Sequence, residues 1–211
     1  MDRFSPSSFR QISSYILFII AFVTVSYVVQ QYQSYISLLL DNGSAIGAAL
    51  FVFLTALFVV FVIPLDIVFL IPLGVSLWGP FATALLSILG WVFGASIAFG
   101  LARQYGPPLV TRLIGSERVA RLAERLPKGD FFWPIVFLRL LIPVDVLSYA
   151  LGLFSILPWN NYFFATLIGV TPFGFFFAFV GVLPFWYQIF SFAIVFMGVL
   201  FFLARYTKRN N

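Results

Sequence analysis

The sequence predicts an all-α polytopic membrane protein, in which transmembrane helices accompany an inverted repeat of two opposed re-entrant helical hairpins. Of its 211 residues, 62% are hydrophobic and only 9% are charged, whereas soluble domains contain about 25% charged residues. Apolar runs of the roughly 20 residues needed to cross a bilayer recur along the chain. A short proline–aspartate motif occurs twice, 79 residues apart. Together these observations predict a single membrane domain, residues 1–211, that contains a repeat.

The repeated motif places a helix breaker and an acid in otherwise apolar sequence. Its copies are Ile63-Pro64-Leu65-Asp66-Ile67 and Ile142-Pro143-Val144-Asp145-Val146. Proline leaves backbone groups unsatisfied, and lipid cannot hydrogen-bond to them. Non-helical backbone is tolerated at membrane depth only where protein or a water-filled cavity covers it. Two such breaks in corresponding halves are typical of the substrate site of a transporter.

Apolar runs and breakers define the elements of the first half. Residues 12–33 are predicted to form a transmembrane helix, because the run continues without the cleavage site of a signal peptide. After a turn, residues 45–78 are interpreted as the first re-entrant hairpin. Its breaks are expected at Pro64, Pro72 and Gly74, and a further break at residues 78–80 begins a transmembrane helix over residues 80–102.

The second half begins with the one strongly polar segment, residues 103–130. This segment holds six of the twelve basic residues and is predicted to contain an amphipathic helix, capped by Ser116, at the membrane surface. Residues 131–157 are interpreted as the second hairpin, with Pro143 and Gly152 as its breaks. Transmembrane helices over residues 160–183 and 185–204 follow. Four glycines are predicted to serve close helix packing: Gly90, Gly94, Gly169 and Gly174.

Charge asymmetry gives the orientation of these elements. Basic residues concentrate near the N-terminus, in residues 103–130 and near the C-terminus, so the positive-inside rule places all three in the cytoplasm. The first hairpin then enters from outside and the second from the cytoplasm, which makes the repeat inverted. Because the basic residues flank membrane segments, nucleic acid is not an expected partner. The expected location is the cytoplasmic membrane of a prokaryote.

Three charged side chains are predicted to lie deep in the apolar segments: Asp66, Arg139 and Asp145. Ionisable groups inside a membrane usually face a cavity or pair with one another. They are therefore the candidate site for substrate or protons, with a structural salt bridge as the alternative. Arg103 either extends to the cytoplasmic surface or lines the mouth of a cavity. The sequence contains no His or Cys, and we predict neither a metal nor a cofactor.

Residues 137–152, which include Arg139, Pro143 and Gly152, resemble the signature of the DedA/VTT superfamily, also called SNARE-associated Golgi proteins. Residues 166–172 and the Gly-x-x-Arg-x-x-Gly pattern around Arg103 extend the resemblance over roughly residues 50–185. It implies two facing re-entrant hairpins and a role in moving lipids. Eukaryotic relatives are regarded as phospholipid scramblases, and bacterial DedA proteins as flippases of phospholipid or polyprenyl phosphate, with proton coupling. On this resemblance Asp66 is the acid of the first hairpin and Arg139 the arginine of the second.

Two positions depart from the bacterial DedA pattern. The first hairpin has Pro64-Leu65-Asp66 where those proteins have Pro-Gly-Glu, and Asp145 stands where they tend to have a second arginine. These departures favour a Tvp-like branch of the superfamily and argue against a double-arginine phosphate clamp.

The leading hypothesis is a non-enzymatic lipid translocase of flippase or scramblase type, with membrane lipids and protons as its partners. One alternative is a proton-coupled transporter of small solutes or ions. Another is an intramembrane aspartyl protease, although neither aspartate lies in a Gly-x-Gly-Asp context. A membrane scaffold acting through residues 103–130 is the last, and a homo-oligomer is left open.

Overall fold

In a computed structural model, residues 6–35, 44–63, 66–115, 132–154 and 157–209 are described, and all regular elements within these ranges are helical. A π-helical turn, Asp66–Leu70, leads into the third α-helix. The α-helices are α1 Pro6–Gln31, α2 Ala45–Phe61, α3 Ile71–Tyr105, α4 Pro107–Ile114, α5 Phe132–Leu141, α6 Val144–Phe154, α7 Trp159–Gly181 and α8 Phe185–Arg209. The predicted all-α class is confirmed for this part of the chain.

Two helical stretches in the described residues are long and apolar enough to cross a bilayer. They are Asp66–Tyr105, with 40 residues, and Trp159–Gly181, with 23. The helices α2 and α6 are equally apolar but have only 17 and 11 residues. At 1.5 Å per residue, α6 is too short to cross the roughly 30 Å of hydrocarbon alone, whereas α2 is at the lower limit of length for a span.

Helix α2 ends at a sharp reversal of the chain. Val62 adopts a left-handed conformation, with φ of 60°, and donates its N–H to carbonyls in the last turn of α2. Pro64, the predicted break, lies outside the described residues. The chain then returns alongside α2, because the ring of Trp78 lies 5.6 Å from that of Phe51, in the second turn of α2. The segment after the reversal therefore runs antiparallel to α2.

The predicted breaks at Pro72 and Gly74 are wrong. Pro72 occupies the first turn of α3, where a missing N–H leaves no intrahelical bond unmade, and Gly74 is helical. The interruption of α3 lies at Gly79, which has φ of 75° and ψ of 172°, within the break predicted at residues 78–80. Pro80 follows it, and the hydroxyl of Thr83 donates to the Gly79 carbonyl at 2.7 Å.

The second pair of short helices, α5 and α6, is separated at Pro143. Gly152, also predicted as a break, is instead helical and buried within α6. A Cβ atom there would collide with the Phe99 carbonyl of α3, so this glycine permits close contact between helices. Residues 107–114 of the polar segment form α4, its first residues, 103–105, end α3, and residues 116–130, including Ser116, lie outside the described residues.

The core forms around α3, which packs against α7, α2 and α6. Glycines permit these contacts: Gly90 and Gly94 lie against α2, Gly174 against α3 and Gly169 against α5. The prediction that these four glycines serve helix packing is confirmed. Outward-facing side chains are largely apolar, including Leu17, Ile46, Phe53, Phe93, Phe137 and Trp186. Such an outer surface suits contact with lipid tails rather than water.

Candidate functional site

Arg139, near the end of α5, is only 3% exposed. Its Nη1 atom donates to the Val144 carbonyl at 2.8 Å and to the Ser148 hydroxyl at 3.1 Å. Its Nη2 atom donates to the Thr166 hydroxyl at 2.6 Å, and the guanidinium lies 5.3 Å from the Tyr162 ring centroid. Among the described residues, the hydrogen bonds of Arg139 go to neutral oxygens.

The chain break at Pro143 makes this arrangement possible. Because the chain turns there, Arg139 can reach forward to the first two turns of α6. On the other side of Arg139, Gly169 of α7 lies so close that a Cβ atom would meet the Arg139 side chain at 2.7 Å. The cation is therefore held between the first turns of α6 and the middle of α7.

Asp145, 9% exposed, lies in the first turn of α6. Its Oδ1 atom accepts a hydrogen bond from the Val146 N–H at 2.8 Å. A carboxylate is favoured there, because the unpaired N–H groups at a helix N-terminus carry partial positive charge. The carboxyl group of Asp145 thus lies at the helix N-terminus that follows the Pro143 break.

Asp66, 4% exposed, begins the π-helical turn before α3. The indole Nε1 of Trp91 donates to its Oδ2 atom at 2.5 Å. Trp91 lies 25 residues further along the chain, in the long helical stretch after the Gly79 break. The acid of the first half is therefore stabilised by a side chain of α3.

The end of α2 and the first turns of α6 face each other. The hydroxyl of Tyr149 donates to the Val60 carbonyl in the last turn of α2 at 2.6 Å. Asp66 and Asp145 are close enough to interact electrostatically. Asp66 follows α2 closely in the chain and Asp145 lies in the first turn of α6, so this contact joins the two segments that carry the predicted acids.

The family model of the VTT domain matches residues 63–183, more than half of the chain. The chain belongs to the VTT domain family. No curated protein gives a match, and neither does any solved structure.

The VTT domain runs from the reversal after α2 to the end of α7 and contains Asp66, Arg139 and Asp145. Family membership and the apolar helices together identify a membrane protein of the DedA/VTT superfamily. Arg103 lies exposed in the last turn of α3, with its guanidinium 5.0 Å from the Phe99 ring. Within the described ranges, no three His, Cys, Asp or Glu side chains are grouped as metal ligands would be.

Sequence reasoning did not assign a role to the partners of the charged groups in this VTT domain. Trp91 lies between the packing glycines Gly90 and Gly94. The residue types of Ser148 and Thr166 gave no signal, because serine and threonine are common in membrane helices. One signal was present: Thr166 is a polar residue in a stretch, residues 146–204, that contains no charged residue. Polar side chains in such a run are expected to bond across helices, although their partner cannot be read from the sequence.

Proposed function

We propose that this protein is a lipid translocase that moves phospholipid or polyprenyl-phosphate lipids between the two leaflets. The observation that carries the proposal is the buried guanidinium of Arg139. Its Nε–H is buried and has no hydrogen-bond partner among the described residues, and its three hydrogen bonds, made by Nη1 and Nη2, go to neutral oxygens. A lipid phosphate is the group in a membrane that best matches such a donor.

Charge supports this assignment. A buried cation is costly unless paired, and neutral acceptors satisfy its hydrogen bonds without neutralising its charge. The planar fork of arginine binds phosphate through two parallel hydrogen bonds. In the proposed mechanism, the guanidinium exchanges the hydroxyls of Ser148 and Thr166 for two phosphate oxygens while the headgroup passes. It returns to the hydroxyls when the lipid leaves, so the Nη donors that the phosphate releases regain their acceptors.

The contact between α2 and α6 supports a path for the headgroup. Tyr149 joins α6 to the end of α2, and a buried aspartate lies close in the chain to each partner of this bond, Asp145 to Tyr149 and Asp66 to Val60. Lipid tails would stay in the hydrocarbon alongside the apolar outer surface. Binding and release suffice for this function, and no covalent chemistry is required.

Lipid movement in vesicles tests the proposal. The purified protein is reconstituted into liposomes that contain lipids with a fluorescent acyl chain, and a membrane-impermeant reductant reports their arrival in the outer leaflet. We expect Arg139→Ala to slow lipid movement at least about tenfold, the equivalent of one charge-assisted hydrogen bond. Arg139→Lys should be intermediate, because an ammonium lacks the planar fork.

The matched control is Arg112→Ala, which removes an exposed arginine of α4. It should move lipid within twofold of the wild-type rate. Wild-type lipid movement by a folded Arg139→Ala protein would refute the assignment of this site.

The two buried carboxylates favour a second candidate, a proton-coupled transporter of small solutes or ions. Asp66 and Asp145 are both buried acids within apolar segments, and such groups often mark proton pathways in transporters. This candidate predicts solute uptake driven by a pH gradient and abolished in Asp66→Asn and Asp145→Asn, with no movement of lipid. Lipid movement that is unaffected by a pH gradient would count against it.

A further inference from the structure

A stack of two aromatic rings lies between two arginines. The rings of Phe99 in α3 and Tyr162 in α7 are nearly parallel, with their centroids 4.0 Å apart. The guanidinium of Arg139 lies 5.3 Å from the Tyr162 centroid, and that of Arg103 lies 5.0 Å from the Phe99 centroid. Both rings are fully buried. The stack therefore connects an exposed arginine at the end of α3 with the buried arginine of the candidate site.

Arg139 lies over the face of Tyr162 that is turned away from Phe99. Two rings with centroids 4.0 Å apart leave no room for a guanidinium between them. The Tyr162 ring is also fixed in place, because its hydroxyl donates to the Ala95 carbonyl of α3 at 2.7 Å and Trp159 packs edge-on against it. Arg139 thus faces an aromatic surface whose position is set by contacts with α3.

The face of an aromatic ring attracts a cation without a hydrogen bond. The π electrons give the face a negative partial charge, and the attraction is strongest where water is excluded. The contact between Arg139 and Tyr162 therefore uses none of the N–H groups of the guanidinium. A phosphate can take the Nη donors from Ser148 and Thr166 while the guanidinium stays against the ring.

We propose that Tyr162 is a positioning residue for lipid movement. The face of its ring holds the guanidinium of Arg139 in the orientation in which it exchanges hydroxyls for phosphate, a role that rests on the proposed translocase function. The backbone of Tyr162 contributes separately, since its carbonyl accepts from the Thr166 hydroxyl at 2.7 Å. Replacing the side chain leaves that carbonyl in place, so the ring can be tested by itself.

Stepwise fluorination of the ring tests the proposal. Position 162 is occupied in turn by phenylalanine with zero, one, two or three ring fluorines, introduced at this site alone by suppression of a nonsense codon. Fluorine withdraws negative charge from the ring face and nearly conserves its shape, so a purely steric role would give equal rates. We expect lipid movement in liposomes to slow with each fluorine. The trifluorinated variant should be about fivefold slower than Tyr162→Phe.

The matched control is the same series at Phe22. That ring is also fully buried, and its aromatic neighbours include Phe177 and Phe192. Rates in the Phe22 series should stay within twofold of one another. Equal slopes at the two positions would refute the role of Tyr162, as would rates at position 162 that stay level or rise with fluorination.

A second measurement needs no transport. The midpoint of unfolding in mixed micelles of a denaturing detergent is compared across the position-162 series, with Arg139 present and in the Arg139→Met background. We expect each fluorine to lower the midpoint when Arg139 is present and to lower it less in Arg139→Met. An equal loss in the two backgrounds would refute the contact between the ring and the cation.

Failure of the two proposals can be distinguished. If wild-type protein moves no lipid, the translocase proposal fails, whereas a loss of stability that depends on Arg139 still establishes that Tyr162 holds the guanidinium. If wild-type protein moves lipid and Arg139→Ala slows it, but fluorination at position 162 does not, the translocase proposal stands and the positioning role of Tyr162 is refuted.

Discussion

Ser87 in α3 and Thr166 in α7 are 79 residues apart, the same spacing that separates the two proline–aspartate motifs. Thr166 accepts a hydrogen bond from Arg139, whereas the Ser87 hydroxyl is buried with no partner among the described residues. The residue 79 positions before Arg139 is Val60, whose side chain has no hydrogen-bond donor. A hydroxyl side chain thus occurs at this position in both halves, as Ser87 and as Thr166, but the arginine that binds it occurs only in the second half.

The two aspartates also differ, and here the additional side-chain partner belongs to the first half. Asp66 accepts a hydrogen bond from Trp91, while the residue 79 positions after Trp91 is Val170. Asp145 accepts instead from the backbone N–H of Val146. The repeated motif therefore supplies an acid twice, but the surrounding residues differ. The first half provides a side-chain donor for its aspartate, and the second half provides acceptors for Arg139. The two halves are alike in sequence register and different in chemistry.

The largest difference between the halves is expected from two glycine substitutions. A Cβ atom at Gly169 would meet the Arg139 side chain at 2.7 Å, and one at Gly90 would meet Thr55 at 2.6 Å. Both alanine variants should lose about 2–3 kcal/mol of unfolding free energy through overpacking, measured in mixed micelles of a denaturing detergent. Only Gly169→Ala should also slow lipid movement, by about tenfold, because it displaces the guanidinium.

The control for this pair is Gly198→Ala, because a Cβ atom at Gly198 meets nothing within 4 Å. It should leave both stability and transport unchanged. Equal losses of transport in Gly90→Ala and Gly169→Ala would remove the functional distinction between the halves.

A smaller effect is expected at the acid of the first half. Trp91→Phe removes the indole donor and leaves a buried carboxylate short of a partner, which should lower the free energy of unfolding by about 2 kcal/mol. A double-mutant cycle should show coupling of Trp91→Phe with Asp66→Asn that exceeds its coupling with Asp145→Asn by about 1 kcal/mol. Similar coupling energies with both aspartates would mean that Trp91 stabilises Asp66 and Asp145 equally, contrary to the hydrogen bond in the structure.

The two hydroxyls provide the most closely matched comparison. Thr166→Val removes an acceptor of a buried cation and should lower the free energy of unfolding by about 1.5 kcal/mol. Ser87→Ala removes a hydroxyl without a described partner and should change stability by no more than about 0.5 kcal/mol. A large loss in Ser87→Ala would reveal a bond that makes the halves more alike than they are in the structure.

The smallest effects concern two buried tyrosines. The Tyr149 hydroxyl bonds to the Val60 carbonyl in the last turn of α2, where no intrahelical partner is available. The Tyr162 hydroxyl bonds to the Ala95 carbonyl, in the interior of α3. Tyr149→Phe should therefore lower the free energy of unfolding by about 1 kcal/mol and Tyr162→Phe by about half as much. The reverse order would show that the contact between the halves contributes little to stability.

Local chemistry explains what the sequence predicted well. The helical class followed from long apolar runs, and the breaks at Gly79 and Pro143 followed from residues that cannot continue a helix normally. Gly74 and Gly152 were predicted as breaks for the same reason, and there the prediction was wrong. A glycine in an apolar helix can mark either a break or a close contact, and only the packing of Gly152 against Phe99 distinguishes the two.

The sequence by itself determined that this chain is helical and apolar, that a proline–aspartate motif occurs twice in it, and that three charged groups lie within its apolar segments. Only the tertiary structure decided their partners, because these partners come from distant parts of the chain. Trp91 is 25 residues from Asp66, Thr166 is 27 from Arg139, and Tyr149 is 89 from Val60. Helical periodicity relates residues three or four positions apart, whereas these contacts depend on which helices pack together. That choice is made by glycine contacts and buried hydrogen bonds, whose energies exist only once the helices have met.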